Sequence, residues 1–257
     1  SGVGWATFLA QGIAGILAVV TLLRRVAKLP TGHGKVMLYS KSMLRRIAKI
    51  AVPSILQQSF VSVGNIFIQS LVNSFGSAVI AGYSAAVKLN TFTITSFSTL
   101  GNALSSFSAQ NIGAAKIDRV RKGFRAGTML AWIIAVPFFV LFFFFGNEML
   151  RIFMENPTGG AMKAGMEFLK IVSPFYFIIS VKLLADGLLR GSSAMIGFMV
   201  STFTDLILRV ILAYVFAGIF GSTGIWMSWP VGWSISAVIS LLFYRYTWKQ
   251  LSVERRS

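Results

Sequence analysis

Apolar runs, each about as long as a bilayer is thick, organise this sequence. Seven of them stand at roughly 3–23, 50–72, 78–107, 126–146, 166–189, 195–217 and 222–244. The stretch AGTMLAWIIAVPFFVLFFFFG at 126–146 carries no charge, and about 20 such residues in a helix cross the ~30 Å of hydrocarbon. A closed barrel would alternate apolar and polar residues at every second position; these runs do not. The pattern predicts an all-α membrane protein.

Two adjacent runs carry polar residues at helical spacing. Ser54, Gln58, Ser62, Asn65 and Gln69 follow one another by three or four positions, as do Ser84, Lys88, Thr91, Thr95, Ser98, Asn102 and Ser105. Each set falls on one helical face. Amides left unsatisfied in hydrocarbon cost several kcal/mol apiece, so both faces should turn toward protein or a water-filled cavity. Hydroxyls at such spacing favour hydrogen bonds between packed helices. The long polar groups Gln58, Asn65, Gln69 and Lys88 favour a cavity, and Ser62, Thr91 and Thr95 stand among them as further cavity candidates.

Charge inside the later runs is sparse and expensive: a central Lys, Arg or Asp costs about 2.5–3.5 kcal/mol on insertion scales. Lys182 precedes Asp186 by one helical turn, and Asp205 precedes Arg209 by the same interval. Each pair can meet on one face and offset part of its burial. Asp186 also lies four residues before Arg190. Structural pairing is the first reading of both carboxylates, and proton exchange or substrate contact is the rival. Pro53, Pro137, Pro174 and Pro230 lie in or near the runs and favour bends.

Composition agrees with the pattern. The chain is 55% hydrophobic and only 12% charged, too apolar for a water-wetted surface. Its net charge of +17 would ordinarily raise nucleic acid as a partner, but the basic residues sit between spans, eight from Arg24 to Lys49 and five from Lys116 to Arg125. Basic loops mark the cytoplasmic side, which places the tail at 245–257 inside the cell and excludes nucleic acid. Residues 24–49, with Met37, Met43, Leu44 and Ile47 among cations, read equally as an interfacial helix against anionic headgroups or as a solvated basic linker. No cysteine is present, so no disulfide or thiolate metal site exists, and the lone His33 sits in a glycine-flanked loop.

The same alternation makes the first span enter from outside, although SGVGW brings neither an initiating Met nor a signal peptide. The expectation is a C-terminal piece of a longer protein, in which residues 1–23 close a missing half and residues 50–244 form one six-helix unit.

Several fragments, taken together, carry a family resemblance. VPSILQQSF, VNSFGSAVIAGYSAAVKLN, SAQNIGAAKIDRVRKG, GLLRGSS and LRVILAYVFAGIFGSTGIWMSWPVGW resemble, in this order, the second half of multidrug and toxic compound extrusion (MATE) transporters. The resemblance implies a two-lobe transporter that exports organic compounds, often small organic cations or amphipathic drugs, in exchange for protons or sodium ions. Under it, residues 1–23 are the last helix of the N-terminal lobe, 24–49 the cytoplasmic inter-lobe linker and 50–244 the C-terminal lobe. The run SAQNIGAAKIDRVRKG then becomes a helix end at Gln110 and Asn111, a tight turn of small residues and a basic segment at the inner headgroups.

Some sodium-coupled members carry acidic residues midway along the helices that correspond to spans two and five. Here span two offers Gln57, Gln58 and Asn65 instead, and Asp186 is displaced toward a helix end. The pattern is nearer to branches, including the DinF-like one, whose coupling carboxylate lies on the first helix of the N-terminal lobe. No organic cofactor is implied, and the coupling-ion site is expected in the missing lobe.

Two alternatives remain at this stage. A lipid-linked oligosaccharide flippase of the same superfamily would need a strongly cationic cavity, for which Lys88 and Lys182 are thin support. A seven-helix receptor or retinal protein lacks support in DRY, NPxxY or a Lys on the last span. Hydrolase chemistry finds neither an intramembrane His nor paired catalytic carboxylates.

Overall fold

The computed structural model describes residues 2–27, 40–154 and 158–254. Expectations resting on His33 and the rest of 28–39, on 155–157 of the loop at 147–165, or on the last three residues of the tail lie outside the described residues. Ser1–Leu44 and Arg45–Ser257 form two compact units.

The first unit holds helix α1, Gly2–Val26. Its 25 residues extend about 37 Å at 1.5 Å each, enough to cross a bilayer. Large apolar side chains such as Phe8, Ile16 and Leu22 are exposed along it. Arg24 and Arg25 close its last turn, where cations favour the negative end of the helix dipole.

Helix α2, Lys41–Asn73, begins about nine residues before the apolar run at 50–72. The basic residues from Lys41 to Lys49 therefore continue into span two as one helix. Beyond it come α3 (Ser77–Gly113), α4 (Ile117–Phe144), the short α5 (Gly146–Arg151), α6 (Gly159–Val172), α7 (Tyr176–Gly191), α8 (Met195–Phe220) and α9 (Ser222–Glu254).

Helix α3 is the hub of the second unit, packing against α4, α6 and α7, while α8 and α9 form a closely packed hairpin against which α7 leans. Helices in lipid gain little from hydrophobic association and depend on close packing instead. The sequence provides for it: a side-chain carbon on Gly187 of α7 would strike the Gly101 carbonyl of α3, and Gly82 meets α6 backbone in the same way. Around these crossings Tyr83 stacks on Trp226 with ring centres 5.0 Å apart, and Phe168 meets Trp226 edge-on at 5.5 Å. Helix α2 flanks α8, with Leu206 over Gly64 and Phe60 edge-on to Phe203 at 4.9 Å.

Six helices among the described residues are long and apolar enough to span a membrane, counting Gly159–Gly191 as one. The run expected at 78–107 is not among them. Its helix, α3, is long, but it is surrounded by α4, α6 and α7 and by a cavity, so much of its surface need not satisfy lipid. The run expected at 166–189 is broken: α6 and α7 are joined by a 3-10 turn at Ser173–Phe175, where Pro174 lacks the N–H that a continuous helix requires. Pro53, Pro137 and Pro230 lie within continuous helices.

Helices α3 and α7 end alike. Ala115 (φ 56°) and Ser193 (φ 59°) adopt left-handed conformations, and the next residues, Lys116 and Ala194, donate to Asn111 and Leu189 carbonyls at 2.8 and 2.9 Å. This is a six-to-one helix cap of the kind usually built on glycine. It turns the chain directly into α4 and α8.

Candidate functional site

A cavity of about 410 Å³ opens among α2, α3, α7, α8 and α9. From α2 it receives Gln57, Gln58, Val61, Asn65 and Gln69. From α3 come Tyr83, Val87, Asn90, Thr91, Ile94, Thr95 and Ser98. The far wall is Ile179, Lys182 and Leu183 of α7, Thr202, Asp205 and Arg209 of α8, and Trp229 and Trp233 of α9. Amides and hydroxyls thus face flat aromatic surface across one space, a composition suited to holding an amphipathic molecule.

The charges are arranged in two different ways. Lys182 Nζ lies 2.8 Å from Asp186 Oδ2, both side chains being only 4% exposed. Ser240 of α9 donates to the other oxygen, Asp186 Oδ1, at 2.6 Å. Ser240 also bonds Ser201 of α8, whose hydroxyl reaches the Ser236 carbonyl at 3.1 Å. Asp186 thus ties α7 to α9 directly and to α8 through Ser240, with a polar partner on each carboxylate oxygen.

Asp205 and Arg209 do not form the corresponding pair. No ion-pair contact joins them; Arg209 instead lies over the Trp229 ring, its guanidinium carbon 4.7 Å from the centroid. Asp205 Oδ1 rests buried beside Gly232 with no hydrogen-bond partner. One-turn spacing allowed the pair, but a ring on the neighbouring helix provides the competing partner. Arg190 likewise turns from Asp186 to Asn102 Oδ1, 2.8 Å away, and lies over Phe198.

Two deductions from the polar faces find different places. Ser62 does not line the cavity: its hydroxyl donates to the Gln58 carbonyl one turn back at 3.1 Å. Ser54 also donates within its own helix, the back-bonding open to any helical hydroxyl, and so does Ser98, which nevertheless lines the cavity. Lys88 faces a separate recess of about 490 Å³ with Ser77, Ser84, Phe153 and Met154. Gln58, Asn65, Gln69, Thr91 and Thr95 share the main cavity with Lys182, Asp205 and Arg209; Asp186 stands behind Lys182.

The sequence profile of the MatE family matches residues 53–215. The chain belongs to the MatE family. The resemblance read from its motifs therefore holds, and MatE proteins are transporters rather than enzymes. The chain is 28% identical to the probable multidrug resistance protein YpnP of Bacillus subtilis (strain 168), over 98% of this chain and 56% of that protein. A MATE crystal structure in the straight conformation superposes on it with TM-score 0.83 at 16% identity, over 96% of this chain and 56% of the other. The Vibrio cholerae MATE transporter VcmN in the bent form gives 0.82 at 15% identity, over 95% and 55%. This MatE chain is thus a multi-pass membrane protein with the fold of half a MATE transporter, and it spans about half the length of the curated relatives it matches.

Sequence reasoning missed Tyr83, Asn90, Thr202, Trp229 and Trp233 in the cavity wall. Asn90 had a usable signal, an amide in mid-span; it is 2% exposed and accepts from the Tyr176 hydroxyl at 3.1 Å. The tryptophans had none, since an aromatic in an apolar helix suits lipid and cavity alike.

Proposed function

We propose that this chain forms the C-terminal lobe of a secondary active multidrug efflux transporter, which exports small organic cations and amphipathic drugs in exchange for protons or sodium ions. The observation that carries this reading is the cavity, in which Gln58 and Asn65 share one space with Trp229 and Trp233, between helices that, α3 aside, are long and apolar enough to cross a membrane. Opposing ion flow would shift two lobes between inward and outward access around such a space. Residues 1–23 complete the N-terminal lobe, 24–49 link the lobes on the cytoplasmic side and the C-terminus is cytoplasmic, as the basic loops require. The coupling ion binds in the other lobe.

The charge balance of the wall weighs against a lipid-linked oligosaccharide flippase. Lys182 is neutralised by Asp186 behind the wall and Arg209 shares the wall with Asp205, so the space is not the strongly cationic one a pyrophosphate would need.

The test is ethidium efflux from proteoliposomes of the full-length protein under imposed proton and sodium gradients. Gradient-dependent export supports the reading. No ethidium movement, with movement of a lipid-linked sugar, overturns it in favour of the flippase.

A further inference from the structure

The cavity wall holds two opposite charges that leave each other unpaired. Asp205 and Arg209 stand one turn apart on α8, each 7% exposed, without an ion pair between them. Asp205 Oδ1 lies where a side-chain carbon on Gly232 would come within 2.8 Å, and it meets no donor. Arg209 Nε is equally without an acceptor, the guanidinium being held over Trp229. Lys182 attracts Asp205 through space, but its hydrogen-bonded partner is Asp186, which Ser240 also engages. Unpaired charges at membrane depth are costly.

We propose that Asp205 and Arg209 form a two-ended recognition site for zwitterionic aromatic molecules, which place a cationic group at Asp205 and a carboxylate at Arg209. This rests on the reading of the cavity as a substrate-facing surface. The charge count favours a zwitterion over a simple cation. Lys182, Asp186, Asp205 and Arg209 sum to zero, so a monocation would raise the buried charge by one and still leave the guanidinium unpaired. A zwitterion completes both pairs and leaves the sum unchanged. Tyr83, Trp229 and Trp233 line the same space, almost wholly buried, so an aromatic molecule there meets apolar ring atoms as well as the two charges. Arginine's planar fork matches a carboxylate with two parallel hydrogen bonds, which gives this end of the site its selectivity.

The experiment uses the purified full-length transporter and two dyes with the same ring system. Rhodamine 110 carries a carboxylate with its cationic xanthylium, whereas rhodamine 123 is its methyl ester and carries the cation alone. Fluorescence anisotropy should show rhodamine 110 bound about tenfold more tightly. Arg209→Gln should remove that preference, Arg209→Lys should keep part of it, and Asp205→Asn should weaken both dyes. Equal or tighter binding of the ester by the unaltered protein overturns the proposal, and needs no variant to fold. A preference that survives Arg209→Gln also overturns it, because the carboxylate is then recognised by another group. Binding of both dyes without discrimination sinks this proposal and leaves the cavity's role standing. Failure to bind either dye also overturns the proposal, and ethidium efflux by the same preparation separates that result from failure of the proposed function.

Discussion

Lys182 and Asp186 form a saturated ion pair inside the lobe: Nζ and Oδ2 are 2.8 Å apart, and Ser240 from α9 fills the second carboxylate oxygen. The pair therefore joins α7 to α9 rather than acting along one helix alone. Its burial makes the two residues interdependent, because losing either one leaves the other charged without its counter-ion.

A double-mutant cycle measures that dependence. Lys182→Met alone and Asp186→Leu alone should each destabilise by about 3–5 kcal/mol, the usual range when one partner of a buried pair is removed. The double variant should lose much less than the sum, with a coupling energy above about 1 kcal/mol. Thermal unfolding in detergent reads this out. A double variant no better than either single would show that the pairing has no energetic role.

The two left-handed helix ends give an opposite expectation. Ala115 and Ser193 hold φ values of 56° and 59°, at which a Cβ costs about 1 kcal/mol that glycine avoids. Ala115→Gly and Ser193→Gly should each raise stability by roughly 0.5–1 kcal/mol, despite glycine's greater freedom in the unfolded chain. Lower melting temperatures for both variants would contradict the strain.

Gln58 and Asn65 line the cavity and have exposed side chains. Replacing either with Leu should change the relative transport of several dyes several-fold while leaving membrane expression near that of the parent, since polar contacts in pockets chiefly set selectivity. Efflux assays over a dye panel, alongside quantitative blots, check this. Loss of expression with unchanged selectivity in the surviving protein would make these residues packing elements.

What could be read from the sequence was set by periodicity. Span length and the polar face of α2 were legible because solvent selects residues at every turn, and Gln58, Asn65 and Gln69 do meet in one cavity. Ser62 was not legible: it and Ser98 both satisfy their hydroxyls within their own helices, yet only Ser98 lines the cavity, so hydrogen-bonding capacity does not tell them apart. The polar stripe of α3 is divided between two spaces, Thr91, Thr95 and Ser98 lining the main cavity and Ser84 and Lys88 the second recess, a division that spacing along one helix cannot show. The Asp205 and Arg209 arrangement depends on Trp229, which one-turn spacing on α8 cannot reveal. Pro174 announced a bend, but whether a proline kinks or divides a helix depends on its packing, as the unbroken helices at Pro53, Pro137 and Pro230 show.

The absence of cysteine from this chain allows the main premise, a wet cavity among apolar helices, to be tested directly. Asn65→Cys, Thr95→Cys and, as a lipid-side reference, Phe144→Cys would be introduced singly into the full-length protein, itself freed of any other cysteine. Labelling in membranes with a charged methanethiosulfonate then compares their rates. Fast reaction at positions 65 and 95, slowed by bound dye, with slow reaction at 144, is the expected result. Rates at 65 and 95 as low as at 144 would mean that these polar faces meet no water, and the transport reading would be wrong.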